Sequence, residues 1–149
     1  MRMTRRSFVG AATFAGLGLA GCGARTSADS NDAAATWVVT EDDGLDCLTM
    51  EVSGGAVVAM TGDGWAPRDG FIQLQLGGGS IPGQEIESAT SDGSALTVRL
   101  KTDDGPSTLD LVLTEYRLEP PEGFSLDRIE SVAVDYGDGK PQELERAYK

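Results

Sequence analysis

Carboxylates are the chemistry this chain carries in quantity. Its 149 residues hold 24 aspartates and glutamates against 12 lysines and arginines, with no histidine and two cysteines, Cys22 and Cys47. The missing imidazole removes Ser-His and Cys-His nucleophiles and histidine zinc sites, and two thiols cannot build a thiolate cluster. An acid-base pair of the glycosidase type survives this elimination, but the acids are spread along the whole chain and nominate no pair. No catalytic residue is assigned. Calcium is the strongest candidate among ions, since hard cations take several oxygen ligands. The densest acidic loops are Glu41-Asp42-Asp43-Gly44-Leu45-Asp46 and Asp135-Tyr136-Gly137-Asp138-Gly139, and neither has the alternating Asp-x-Asp-x-Asp-Gly pattern. Asp-Gly pairs begin at positions 43, 63, 69, 92, 104 and 138, as β-turns require on their own. Turn formation is therefore the preferred reading, and no metal or other cofactor is expected. Gly77-Gly78-Gly79-Ser80 lacks the Gly-Lys-Ser/Thr ending and following helix of a phosphate loop. It reads as a mobile connection between sheets.

A different chemistry is written in the first residues. Arg5 and Arg6 precede Ser7 and Phe8, Arg2 adds charge, and no acid occurs before Asp29. From Phe8 to Ala20 every residue is apolar or small, diluted by Gly10, Gly16 and Gly18. As a helix this run would span roughly 20 Å, short of a hydrocarbon core of about 30 Å. The pattern resembles a twin-arginine (Tat) export signal, the Ser-Phe after the arginines favouring that route over general secretion. Leu19-Ala20-Gly21-Cys22 resembles the lipobox of bacterial lipoproteins. The resemblance implies export, cleavage before Cys22 and acylation of its thiol with a two-chain anchor, which holds a membrane far better than one chain. It covers the first 22 residues and is silent on the family of the remainder.

Cleavage would remove Arg2, Arg5 and Arg6, leaving residues 22–149 and taking the net charge from −12 to −15. Such a charge repels phosphate backbones, so no nucleic acid partner is expected. Acylation would leave Cys47 as the one free thiol. Folding before export would place it in the interior.

The elements that would carry these residues read as short strands. Gly23 to Ala35 has no large apolar side chain and reads as a flexible tether. Trp37 to Thr40 reads as a strand, and Leu48–Val52 with Ala56–Met60 as a hairpin whose second arm is covered on both faces. Residues 61–70 read as a loop in which Trp65 folds back over the core. Ile72, Leu74 and Leu76 alternate with Gln73 and Gln75, predicting a strand with one wet face. Glu85 to Ala89 is a weaker strand. Leu96, Val98 and Leu100 are expected to pair with Leu109, Leu111 and Leu113 through an Asp103–Pro106 turn, setting Arg99 and Lys101 against Asp110. Tyr116 and Leu118 extend the second arm, Ser125 to Arg128 suits one helical turn, and Val132, Val134 and Tyr136 lead to a last hairpin into Gln142–Ala147.

The pattern predicts an all-β protein, an antiparallel β-sandwich of immunoglobulin-like architecture or a small barrel. The expected organisation is a signal peptide at 1–21, lipidated Cys22 and linker at 22–35, and one β-sandwich domain at 36–149. The expected function is a non-catalytic binding or interaction domain at the cell envelope. It would be held by lipid at Cys22 on the outer face of the cytoplasmic membrane and would engage an envelope protein or ligand. The alternative is a small carboxylate-dependent, calcium-binding envelope enzyme or accessory subunit.

Overall fold

The computed structural model describes residues 34–148. The chain divides into a unit at Met1–Ser30, outside the described residues, and a unit at Asn31–Lys149 that holds every element below. The second unit is an all-β sandwich. One sheet has the order β1-β7-β8-β10-β11, built from Ala35–Thr36, Ile86–Asp92, Ala95–Leu100, Ser131–Asp135 and Gln142–Glu143. The facing sheet has the order β12-β5-β6-β9-β2, from Glu145–Arg146, Gly64–Arg68, Phe71–Gly78, Val112–Glu119 and Val38–Glu41. A hairpin of β3 (Thr49–Glu51) and β4 (Val57–Ala59) stands apart from both.

Period-two alternation builds the interior, because successive strand residues face opposite sides. Ile72, Leu74 and Leu76 of β6 and Tyr116 and Leu118 of β9 meet Leu96, Val98 and Leu100 of β8 and Val132 and Val134 of β10. Trp37, in the link between β1 and β2, is buried among them and donates its indole N–H to Ser91 Oγ at 2.9 Å. The anticipated helical turn is a 3-10 turn at Leu126–Arg128.

Several expectations are corrected. The sheets are mixed: β10 runs parallel to β8, and β12 parallel to β5. The reason is that β9 intervenes in sequence but joins the other sheet, so the chain crosses back before β10 is laid beside β8. The expected hairpin of Leu96–Lys101 with Leu109–Thr114 does not form. Antiparallel partners are β7 for β8, and β6 and β2 for β9. The two strands face each other across the core instead of pairing edge to edge. Leu109 and Leu111 precede β9 and are exposed. Arg99 lies beside Glu87 and Asp135, and Lys101 beside Glu85, rather than against Asp110.

Residues 64–68 form strand β5, and Trp65 is 1% exposed within the core. Pro67 is tolerated because β12 covers only Gly64 and Trp65, so β5 is an edge strand at the proline. The β3-β4 hairpin forms, but Val57, Val58 and Ala59 are exposed instead of covered. Ala35, read as the end of the tether, belongs to β1 opposite Ser91. Of the last hairpin only Gln142–Glu143 pairs with β10; the chain then crosses to the second sheet as β12.

Strand directions define two ends of the sandwich. Ala35, the Gly93–Ser94 turn and the 120–130 connection lie at one end, the near pole. Connections 79–85, 101–111 and 136–141 gather at the other, the far pole, separated from the first by the length of β9, roughly 25 Å.

Candidate functional site

The first polar assembly lies on the outward face of the second sheet. Gln73 and Gln75 are 1% and 0% exposed, so the expected wet face is dry. The segment 42–62 covers it, adding a small second core of Leu48, Met60, Ala66 and Ala147. Gln75 accepts from the Leu48 N–H at 2.8 Å and donates to the carbonyls of Met60 at 3.2 Å and Gly62 at 2.8 Å. Gln73 donates to the Asp46 carbonyl at 2.7 Å and to Glu115 Oε2 at 2.8 Å, and accepts from Arg68 Nε at 2.9 Å. These bonds fasten the covering segment to the sheet, and Arg117 adds two bonds to Asp42 Oδ2 at 3.0 and 3.1 Å. The same segment decides the fate of Cys47. Leu48 points inward and is fully buried, so its neighbour Cys47 is turned out and exposed, against expectation.

Two acids are buried among the described residues, Glu115 and Asp135. Burial raises the Glu115 pKa above its ordinary value, with the Gln73 hydrogen bond and the Arg68 charge opposing, and its Oε1 has no partner. Asp135 accepts from the N–H groups of Gly137 and Gly139, both at 2.9 Å, and lies 3.6 Å from Arg99 Nε. Glu115 faces outward from the second sheet, and Asp135 outward from the first. The whole sandwich therefore separates the two carboxylates. Elsewhere the acidic loops fold back on their own backbone: Asp42 accepts from Gly44, Asp103 from Gly105 and Asp138 from Lys140. Among the described residues no group of three or more cysteines, aspartates or glutamates is arranged to hold a metal ion.

The far pole holds the other assembly. The 79–85 and 106–111 connections are bonded together: the Thr108 N–H donates to the Ile81 carbonyl at 2.9 Å, and the Ser80 N–H to Asp110 Oδ1 at 3.2 Å. The glycine run serves this contact rather than a loose connection. A Cβ on Gly79 would lie 2.8 Å from the Thr108 carbonyl oxygen, and one on Gly78 would strike Gln84. Hydrogen bonds from Ser80 and Thr108 hold the Asp110 carboxyl down at about 2, so it is charged at any ordinary pH. Beneath, the Tyr116 hydroxyl donates to the Gln84 carbonyl and the Tyr136 hydroxyl to Asp63; burial pushes Tyr116 up to about 12 and Tyr136 higher still. Both phenols stay neutral donors.

From this braced platform Ile81, Leu109 and Leu111 project with 59%, 104% and 65% of their surface exposed. The same connections form a cleft of about 290 Å³ whose wall includes Pro82, Gln84, Lys101, Asp103, Asp104 and Tyr136. A wider groove of about 520 Å³ runs between Met50 and Tyr148. The exposed valines near it, Val57 and Val58, are consecutive strand residues and face opposite ways, so they make no single patch.

Sequence reasoning missed Gln73, Gln75 and Glu115 as interior groups and Leu109 and Leu111 as surface ones. Alternation was visible at all of these positions, but what covers each strand face was not. Arg5, Arg6 and Cys22 lie outside the described residues. Comparison with protein families, curated proteins and solved structures finds no match to this chain.

Proposed function

We propose that this protein is a membrane-anchored extracytoplasmic lipoprotein whose β-sandwich is a non-catalytic interaction module of the cell envelope. The observation that carries the interaction role is the exposure of Ile81, Leu109 and Leu111 on two connections bonded to each other at the far pole, opposite the end that holds Ala35. A folded monomer gains nothing from holding three large aliphatic side chains in water on a platform this well bonded. The placement suits a module tethered at its other end. In this reading Arg5 and Arg6 direct export by the Tat route, and Cys22 carries the diacylglyceryl anchor on the outer face of the cytoplasmic membrane. Residues from Gly23 up to β1 act as the tether.

The separation of Glu115 and Asp135 speaks against these two as a glycosidase-type pair, because that chemistry needs its two carboxyl groups within roughly 5–10 Å across one substrate. The anchor is tested by fractionation and mass spectrometry. Cys22→Ser is expected to move the protein from the membrane to the soluble extracytoplasmic fraction. The N-terminal peptide of the native protein is expected to begin at Cys22 with diacylglycerol mass, and a peptide lacking that mass sinks the reading.

A further inference from the structure

We infer that the far pole docks a cationic, apolar segment of a protein partner. The inference deepens the proposed function and rests on its reading of this pole as the interacting end. Three features select the occupant. Ile81, Leu109 and Leu111 offer three exposed aliphatic side chains, and burying one such side chain at an interface strengthens binding by about tenfold or more. The connections gathered at this pole are negative. Glu85, Asp103, Asp104, Asp110 and Asp138 lie in the same connections, against Lys101 and Lys140, and Lys101 is already paired with Glu85 at 2.9 Å. Asp110 keeps its charge through bonds from Ser80 and Thr108.

Charge then sorts the possible occupants. A second copy brings the same acidic connections and, after cleavage, a net charge of −15, so self-association through this pole is opposed. An anionic lipid surface is opposed for the same reason, although the aliphatic tip alone would suit a bilayer. A segment alternating or mixing lysine or arginine with large aliphatic residues satisfies both parts. Its apolar groups cover the three aliphatic side chains, and its cations meet Asp103 and Asp104 at the cleft. Such complementarity also speeds encounter and makes binding weaken with salt.

The test uses the full mature chain made soluble by Cys22→Ser, labelled with 15N and titrated with a synthetic peptide of alternating leucine and lysine. Saturable shifts are expected at amides 79–85 and 101–111, weakening as salt rises. Leu109→Ser with Leu111→Ser, and separately Asp103→Asn with Asp104→Asn, are each expected to weaken binding by roughly tenfold or more. These side chains are solvent-exposed, so an unchanged amide spectrum outside the pole verifies the fold of each variant. The leucine-glutamate counterpart and phosphatidylglycerol vesicles are expected to leave the pole unperturbed. Equal response to both peptides, shifts centred on the Met50–Tyr148 groove, indifference to both double variants, or binding to vesicles would each overturn the assignment. None of these outcomes bears on the lipid at Cys22, and loss of the lipid leaves the titration unaffected, so the two proposals fail separately.

Discussion

At the scale of single residues, Glu115 and Gln75 show how one strand face changes its chemistry when it is covered. Gln75 has its amide and carbonyl engaged by Leu48, Met60 and Gly62. Glu115 has one oxygen bonded by Gln73 and one without a partner, so burial favours its protonated form. A carboxyl with a raised folded pKa contributes stability fully below its unfolded value and loses it as pH rises through the folded value. Relative to Glu115→Gln, the native protein is therefore expected to lose unfolding free energy as pH rises above the ordinary glutamate value of about 4.3, as read by urea denaturation at each pH. A difference that stays constant or changes the other way would show that Glu115 is ionised in the fold without penalty. Neither glutamine could be placed inside from sequence. An alternating polar position reads as solvated unless the covering segment is known, and here that segment is residues 42–62.

At the scale of elements, strands 96–100 and 112–118 announce themselves by alternation, yet their partners do not. Backbone hydrogen bonding is blind to side chains, so a short turn such as Asp103–Pro106 makes the local hairpin the natural guess. The structure instead sends the chain across the sandwich. The two outcomes predict opposite sensitivities: a hairpin would bury Leu109 and Leu111, whereas here they stand in water and Leu96 is fully buried. Leu96→Ala is expected to cost about 2–5 kcal/mol. Leu109→Ser is expected to stay within about 0.5 kcal/mol of the native protein, both measured by chemical denaturation. Comparable losses at both positions would restore the hairpin. The same logic explains Trp65. Its neighbours Asp63, Gly64 and Pro67 all suggest a loop, but pairing with Leu74 and inclusion in the core turn the segment into β5.

At the scale of the whole molecule, the acidic excess divides into separate tasks. Asp42, Asp103, Asp135 and Asp138 accept backbone N–H groups within their own loops, which shapes turns. Others leave the surface strongly negative. Because these turn acids do not converge, millimolar calcium against chelator is expected to move the thermal midpoint by less than about 2 °C. A rise of many degrees would mean that the loops rearrange around an ion. The sandwich also assigns the two poles different roles, one receiving the chain and one presenting aliphatic side chains. That division follows from the antiparallel pairings of β6 with β9, β7 with β8 and β1 with β7, which bring Gly78, Ile86, Leu100 and Val112 to one end and Ala35 to the other.

The sequence by itself determined that the domain after the tether is all-β, because alternation, Asp-Gly turns and the lack of a sustained helical stripe are local properties. It also supplied the resemblance at Arg5, Arg6 and Cys22, and the elimination of imidazole chemistry, which needs only a count. Tertiary structure alone decided the pairing of strands, the burial of Gln73, Gln75 and Glu115, the exposure of Cys47, Leu109 and Leu111, and the gathering of the 79–85 and 101–111 connections. Each of these depends on what a distant part of the chain covers. Burial and charge proximity are relations between segments, and no single segment contains them.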